Sequence, residues 1–152
     1  MTDTDDYTSH AAQEARRKRL AAELRVATKA RLFEALHAAG IASVTVLFDG
    51  EGDSGQIVDV SAYASHNKSL PLPAGPLTVE TAKWDGSGAE QATVPVKKAI
   101  ENLCYELLED KYEGWEINEG AFGEFSFDVA GRTITLTFNE RISDVSTSTH
   151  TY

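Results

Sequence analysis

Hydrophobic and polar positions change period along this chain, and each change predicts an element. From Ser9 to Ala39 the apolar residues Ala22, Val26, Ala30, Phe33 and Leu36 return every three or four positions, which predicts a helix with one buried face. Gly40 suits the left-handed residue that commonly ends such a helix. Between Ile41 and Phe48 the period drops to two, with Val44, Val46 and Phe48 on one side, and a strand is expected. An acidic glycine loop, Asp49–Gly55, separates it from a second strand at Gln56–Tyr63. Pro71, Pro73 and Pro76 mark residues 64–76 as a loop, and Leu77–Trp84 alternates weakly as a third strand. A second helix is predicted from Val94, with Pro95 in its first turn and Val96, Ile100, Leu103 and Leu107 on one face. The last pattern is the clearest. Phe125, Phe127 and Val129 oppose Glu124, Ser126 and Asp128, and Ile134, Leu136 and Phe138 alternate with Thr133, Thr135, Thr137 and Asn139, as two strands joined at Ala130-Gly131 would.

The order α-β-β-(β)-α-β-β predicts an α+β fold, an antiparallel sheet of four to five strands with two helices packed on one face. The final hairpin requires the other face to be wet, acidic and threonine-rich. A single domain is expected over residues 10–142, between a disordered polar arm at 1–9 and a loose Ser/Thr-rich tail at 143–152. Cys104, the one cysteine, has no internal disulfide partner and falls beside the apolar face of the second helix. No apolar run approaches the roughly 18 residues of a membrane span. The start, Met1-Thr-Asp-Thr-Asp-Asp6, lacks the basic-then-apolar order of a secretion signal, so a cytoplasmic protein is expected.

Charge narrows the partners. The net charge is −10, and it is unevenly placed: residues 1–40 hold seven Lys/Arg against six Asp/Glu, residues 41–152 seven against eighteen. So acidic a body repels nucleic-acid phosphates and anionic lipid, which excludes direct nucleic-acid and membrane binding and points to a basic protein surface. Arg16-Arg17-Lys18-Arg19 with Arg25, Lys29 and Arg31 is the one basic feature, expected to neutralise the domain's own acids. Charge is densest over residues 101–128, where nine carboxylates face Lys111 alone. Glu106, Glu109 and Glu113 share a helical flank with axial gaps of about 4.5 and 6 Å, comparable to phosphates along a strand, so a basic groove built for DNA or RNA could accept them. The candidate partner-binding residues are Glu106, Glu109, Asp110, Glu113, Trp115, Glu116, Glu119 and Glu124, with Trp115 as an interface anchor. The competing reading is a charged face that is merely solvated. A long first helix and an open sheet edge both permit an oligomer.

The glycine loop fits no catalytic motif. Gly50, Gly52 and Gly55 satisfy G-x-G-x-x-G, but Asp49, Glu51 and Asp53 stand where phosphates would lie and no helix follows. Gly52-Asp53-Ser54-Gly55 echoes a serine-protease nucleophile segment, yet Gln56 replaces the next glycine and no histidine is placed as a base. A calcium loop counted from Asp49 would need Gly at Ser54 and Glu at Val60. No catalytic residue is assigned and no cofactor is expected. The alternative reading is a Ca²⁺ or Mg²⁺ site, or a metal-dependent enzyme, using Asp49, Glu51 and Asp53.

Two stretches, Phe48–Ile57 and Leu108–Phe125, the latter running on to Asn139-Glu-Arg141, resemble an uncharacterised family of small acidic proteins encoded largely on bacterial plasmids and other mobile elements. The resemblance spans roughly residues 20–141 and brings no activity or catalytic residue. It implies a setting in which small acidic proteins disarm host restriction or CRISPR machinery by occupying basic nucleic-acid sites. A non-enzymatic acidic module of that anti-restriction or anti-CRISPR type, a DNA mimic, is therefore the expected function.

Overall fold

A computed structural model describes residues 3–51, 54–83, 86–112, 120–140 and 146–152. Helix α1 (Asp3–Ala38) opens the chain. It therefore includes most of the segment expected to be a disordered arm. Its end follows from Gly40 at φ +78: the Gly40 N–H donates to His37 C=O at 3.0 Å and the Ile41 N–H to Leu36 C=O at 3.0 Å, the paired bonds of a Schellman cap. The inward face differs from the expected one. Leu32, Phe33 and Leu36 are buried, whereas Val26 is 69% exposed and Ala22 and Ala30 face solvent. Leu24, Arg25 and Thr28 occupy the half-buried stripe instead. Both stripes have helical spacing, and neighbouring elements, not hydropathy, select the one that turns inward.

The remaining elements, in chain order, are β1 (Ser43–Glu51), β2 (Ser54–Tyr63), a 3₁₀ turn (Ser65–Asn67), β3 (Ser69–Leu70), β4 (Leu77–Ala82), β5 (Ala89–Val94), α2 (Val96–Lys111), β6 (Ala121–Asp128), β7 (Thr133–Glu140) and β8 (Ser146–Thr151). This is an α+β fold with every strand pair antiparallel. The main sheet has six strands in the order β3-β2-β1-β6-β7-β8, wider than the four to five expected. The weak strand after the proline loop is β4, but it pairs with β5 in a separate two-stranded sheet. The Ser/Thr-rich tail expected to be loose contributes β8, in unbroken register with β7. Neither β5 (AEQATV) nor β8 (STSTHT) shows strong apolar alternation, because neither has a face deep in the core.

One face of the main sheet carries the core. Val44, Val46 and Phe48 of β1, Ala121, Phe125 and Phe127 of β6, and Ile134, Leu136 and Phe138 of β7 point inward, where Leu32, Phe33 and Leu36 of α1 and Ile100, Leu103, Cys104, Leu107 and Leu108 of α2 cover them. Each fully buried side chain of this size contributes about 1.5–3 kcal/mol relative to exposure. Phe33 meets Phe127 with ring centroids 6.0 Å apart, and Phe48 lies 5.6 Å from Phe125 and 6.2 Å from Phe138. Gly123, paired between Phe48 and Phe138, makes that last contact possible, since a Cβ there would stand 3.0 Å from Phe48 Cζ and 2.0 Å from Thr137 O. Burial, reinforced by Glu101, pushes the Cys104 thiol up, which keeps it protonated and unreactive.

Candidate functional site

The opposite face of the sheet is built by alternation. Inward Val44, Val46 and Phe48 force Thr45, Leu47 and Asp49 outward, and inward Phe125 and Phe127 force Glu124, Ser126 and Asp128 outward. The register sets these in rows. Asp59, Leu47, Glu124, Thr137 and Thr149 lie side by side across β2, β1, β6, β7 and β8, and Ser61, Thr45, Ser126, Thr135 and Thr151 form the next row. A bulge at Val58 follows Leu47 in the β1–β2 ladder, leaving Val58 52% and Leu47 38% exposed among the carboxylates. Asp59 accepts the Ser61 hydroxyl at 2.6 Å, and Asp128 accepts the Gly131 N–H at 3.2 Å, so both remain acceptor-rich and face solvent. None of the eight strands contains a lysine or arginine. This face therefore presents Asp49, Asp59, Glu124 and Asp128 from strands that, among the described residues, contribute no lysine or arginine to it.

The α2 carboxylates stand elsewhere, on the helix layer. Arg25 of α1 reaches across, with Nε 3.4 Å from Oε2 of Glu106 and Nη1 3.6 Å from Oδ2 of Asp110. The Nε is shut off from solvent and has no hydrogen-bond partner among the described residues. Burial raises the Glu106 carboxyl above its usual range, and the charge of Arg25 opposes that rise. Two of the acids expected to meet a partner, Glu106 and Asp110, are thus engaged from within the chain. Glu124 lies on the other side of the sheet from Glu106, Glu109 and Asp110. Glu113, Trp115, Glu116 and Glu119 lie outside the described residues.

Between α1, β4 and α2 is a cavity of about 440 Å³ lined in part by Arg17, Leu24, Arg25, Glu80, Leu103 and Glu106. Its two carboxylates each have an arginine: Glu106 has Arg25, and Glu80 has Arg31 at 3.3 Å. A second cluster escaped the sequence reading. Tyr112, stacked on Phe138 with centroids 3.7 Å apart, shares a hydrogen bond with His150 Nε2, and Tyr152 lies beyond with its hydroxyl buried and without a partner among the described residues. Burial raises the Tyr152 phenol, Tyr112 and Asp110 add to the rise, and Arg25 opposes it. The missed signal was the spacing of two in His150-Thr-Tyr152, which puts both rings on the inner face of β8.

For the alternative metal reading, Asp49 projects from β1 opposite Gln56 and Phe122, within strand and not loop; the side chain of Glu51 and the whole of Asp53 lie outside the description. Among the described residues no three His, Cys, Asp or Glu side chains converge as a metal shell would. Nor is any helix among them long and apolar enough to cross a membrane. The two sequence stretches that carry the resemblance do meet, as neighbouring strands, with Phe48 opposite Gly123 and Asp49 opposite Phe122.

A family model described as a family of unknown function, DUF6878, matches residues 24–152. The chain belongs to this family. The DUF6878 match begins inside α1, so the whole sheet and α2 fall within the shared domain, and the basic run Arg16–Arg19 precedes it. No curated protein and no solved structure matches the chain.

Proposed function

We propose that the chain is a non-enzymatic acidic interaction module that docks a basic protein surface on the outer face of its six-stranded sheet. The observation that carries this reading is the row Asp59-Leu47-Glu124 on a face whose described strands contain no lysine or arginine. Carboxylates of one sign attract and steer a cationic partner, and exposed Leu47 and Val58 offer the apolar contact that holds it. The α2 acids are weaker candidates, because Arg25 already neutralises part of their field. In the plasmid or mobile-element setting that the resemblance implies, the partner is a nucleic-acid-binding host defence protein in the cytoplasm, whose groove the module occupies.

The test is affinity capture from a bacterial lysate with the full chain, the Asp59→Lys/Glu124→Lys variant, and an α2 control, Glu106→Gln/Asp110→Asn. Capture of a basic nucleic-acid-binding protein that survives the control and is lost with the sheet variant supports the reading. Capture indifferent to the sheet variant overturns it. A second reading, a Ca²⁺ or Mg²⁺ site, draws on the diagonal placement of Asp49 beside Glu124. It predicts that millimolar metal raises the melting midpoint by mass action.

A further inference from the structure

The two edges of the main sheet are built differently. On one, β3 covers Ala62 and Tyr63 of β2, and further along the Tyr105 hydroxyl of α2 accepts the Ile57 N–H at 2.8 Å, next to the bulge at Val58. A short strand, a bulge and a covering side chain are the devices by which natural sheets close an edge. On the other edge, β8 shows none of them among the described residues. Its sequence, Ser146–Thr151, contains no Lys, Arg, Asp, Glu or Pro, and its register with β7 is unbroken. The Tyr152 N–H donates to Ile134 C=O at 2.7 Å and the Ile134 N–H to Tyr152 C=O at 3.1 Å, which fixes 134/152 as a hydrogen-bonded pair. Alternation along the ladder then turns the N–H and C=O of Thr147, Thr149 and Thr151 away from β7. Among the described residues, nothing pairs with them.

We propose that this edge pairs with β8 of a second copy of the chain, antiparallel, about a twofold axis at Thr149. The strand is self-complementary in that register. Thr149 opposes itself, Thr147 opposes Thr151, and each of the three outward N–H groups on either strand finds a carbonyl, closing six backbone hydrogen bonds. On the outer face threonine meets threonine, extending the rows that Thr135 and Thr137 begin. Foreign strands that add to an edge are selected by pockets for their side chains, whereas Thr147, Ser148 and Thr149 are exposed small polar residues that a copy of the same strand matches without any pocket.

Charge permits the approach even though each copy carries −10. The outer-face carboxylates nearest the axis, Glu124 and Asp128, are on β6, two strands in from β8. At about 4.8 Å per strand, Glu124 and its counterpart stand about 24 Å apart, beyond the Debye length of about 8 Å at physiological salt. Six residues of edge bury less than the roughly 800 Å² per partner of a standard interface, so a dimer in equilibrium with monomer at micromolar concentration is expected. The inference is independent of the docking face.

Sedimentation velocity on the full chain, from about 5 to about 500 µM, tests it, because a weak interface must show concentration dependence. The expected result is a shift from the 16.5 kDa monomer towards twice that mass. Thr149→Pro removes only an outward N–H, and Thr149→Lys sets two cations face to face at the axis. Both are expected to remain monomeric throughout with the melting midpoint unchanged. Because lysine also lowers the net negative charge, an association through any other surface would be kept or strengthened by it. A wild-type chain that stays monomeric at the highest concentration, or a dimer that survives either substitution, overturns the proposal.

Discussion

Arg25 and Glu106 join the two helices across the layer that covers the sheet, with Nε and Oε2 3.4 Å apart. With the Asp110 contact, the pair sets one cation among the α2 carboxylates, which offsets part of their field although both acids still reach solvent. It also has a pH signature. Burial holds the Glu106 carboxyl above its ordinary value of 4.5, so the folded chain retains a proton that the unfolded chain has released. The stability this contributes is complete below 4.5 and is lost as pH rises through the folded value. Relative to Glu106→Gln, the wild-type melting midpoint is therefore expected to fall as pH increases from about 4 to 7, by a small amount because the half-exposed side chain is screened. A difference that stays flat or rises over that range would contradict the assignment.

Gly123→Ala tests the aromatic centre of the core. The new Cβ would lie 2.0 Å from the Thr137 carbonyl oxygen and against the Phe48 ring, so β6 and β7 must separate or Phe48 must leave Phe138. A loss of about 3 kcal/mol is expected, which for a chain of this size lowers the midpoint by roughly 10 °C. A thermal melt within about 2 °C of wild type would show that the strands yield freely there.

Tyr105→Phe keeps the ring and removes the acceptor of the Ile57 N–H. The orphaned amide is expected to cost about 1–2 kcal/mol, and hydrogen exchange at Ile57 is expected to accelerate while exchange in β7 is unchanged. Unchanged exchange at Ile57 would mean the hydroxyl does not close that edge.

Much of this was legible because local alternation and tertiary placement agree. The Phe125/Phe127 and Ile134/Leu136/Phe138 patterns predicted both the hairpin and its wet acidic, threonine-rich reverse, and Gly40 marked the end of α1. What periodicity does not encode is pairing between distant strands. Nothing local sets Leu47 beside Glu124, a relation that exists only because β6 inserts next to β1. Arg25 fits the expectation that the basic run neutralises the domain's own acids, but which two carboxylates it meets follows only from where α2 packs. The strand β8 escaped because a Ser/Thr segment owes its order to the ladder with β7, not to its own hydropathy.

The docking face is tested most directly by carboxylate footprinting of the chain alone and bound to its captured basic partner, with labelling read residue by residue. Asp59, Glu124 and Asp128 are expected to lose labelling in the complex while Glu106, Glu109 and Asp110 keep theirs. Protection of the α2 carboxylates with the sheet face labelled as before would contradict the account.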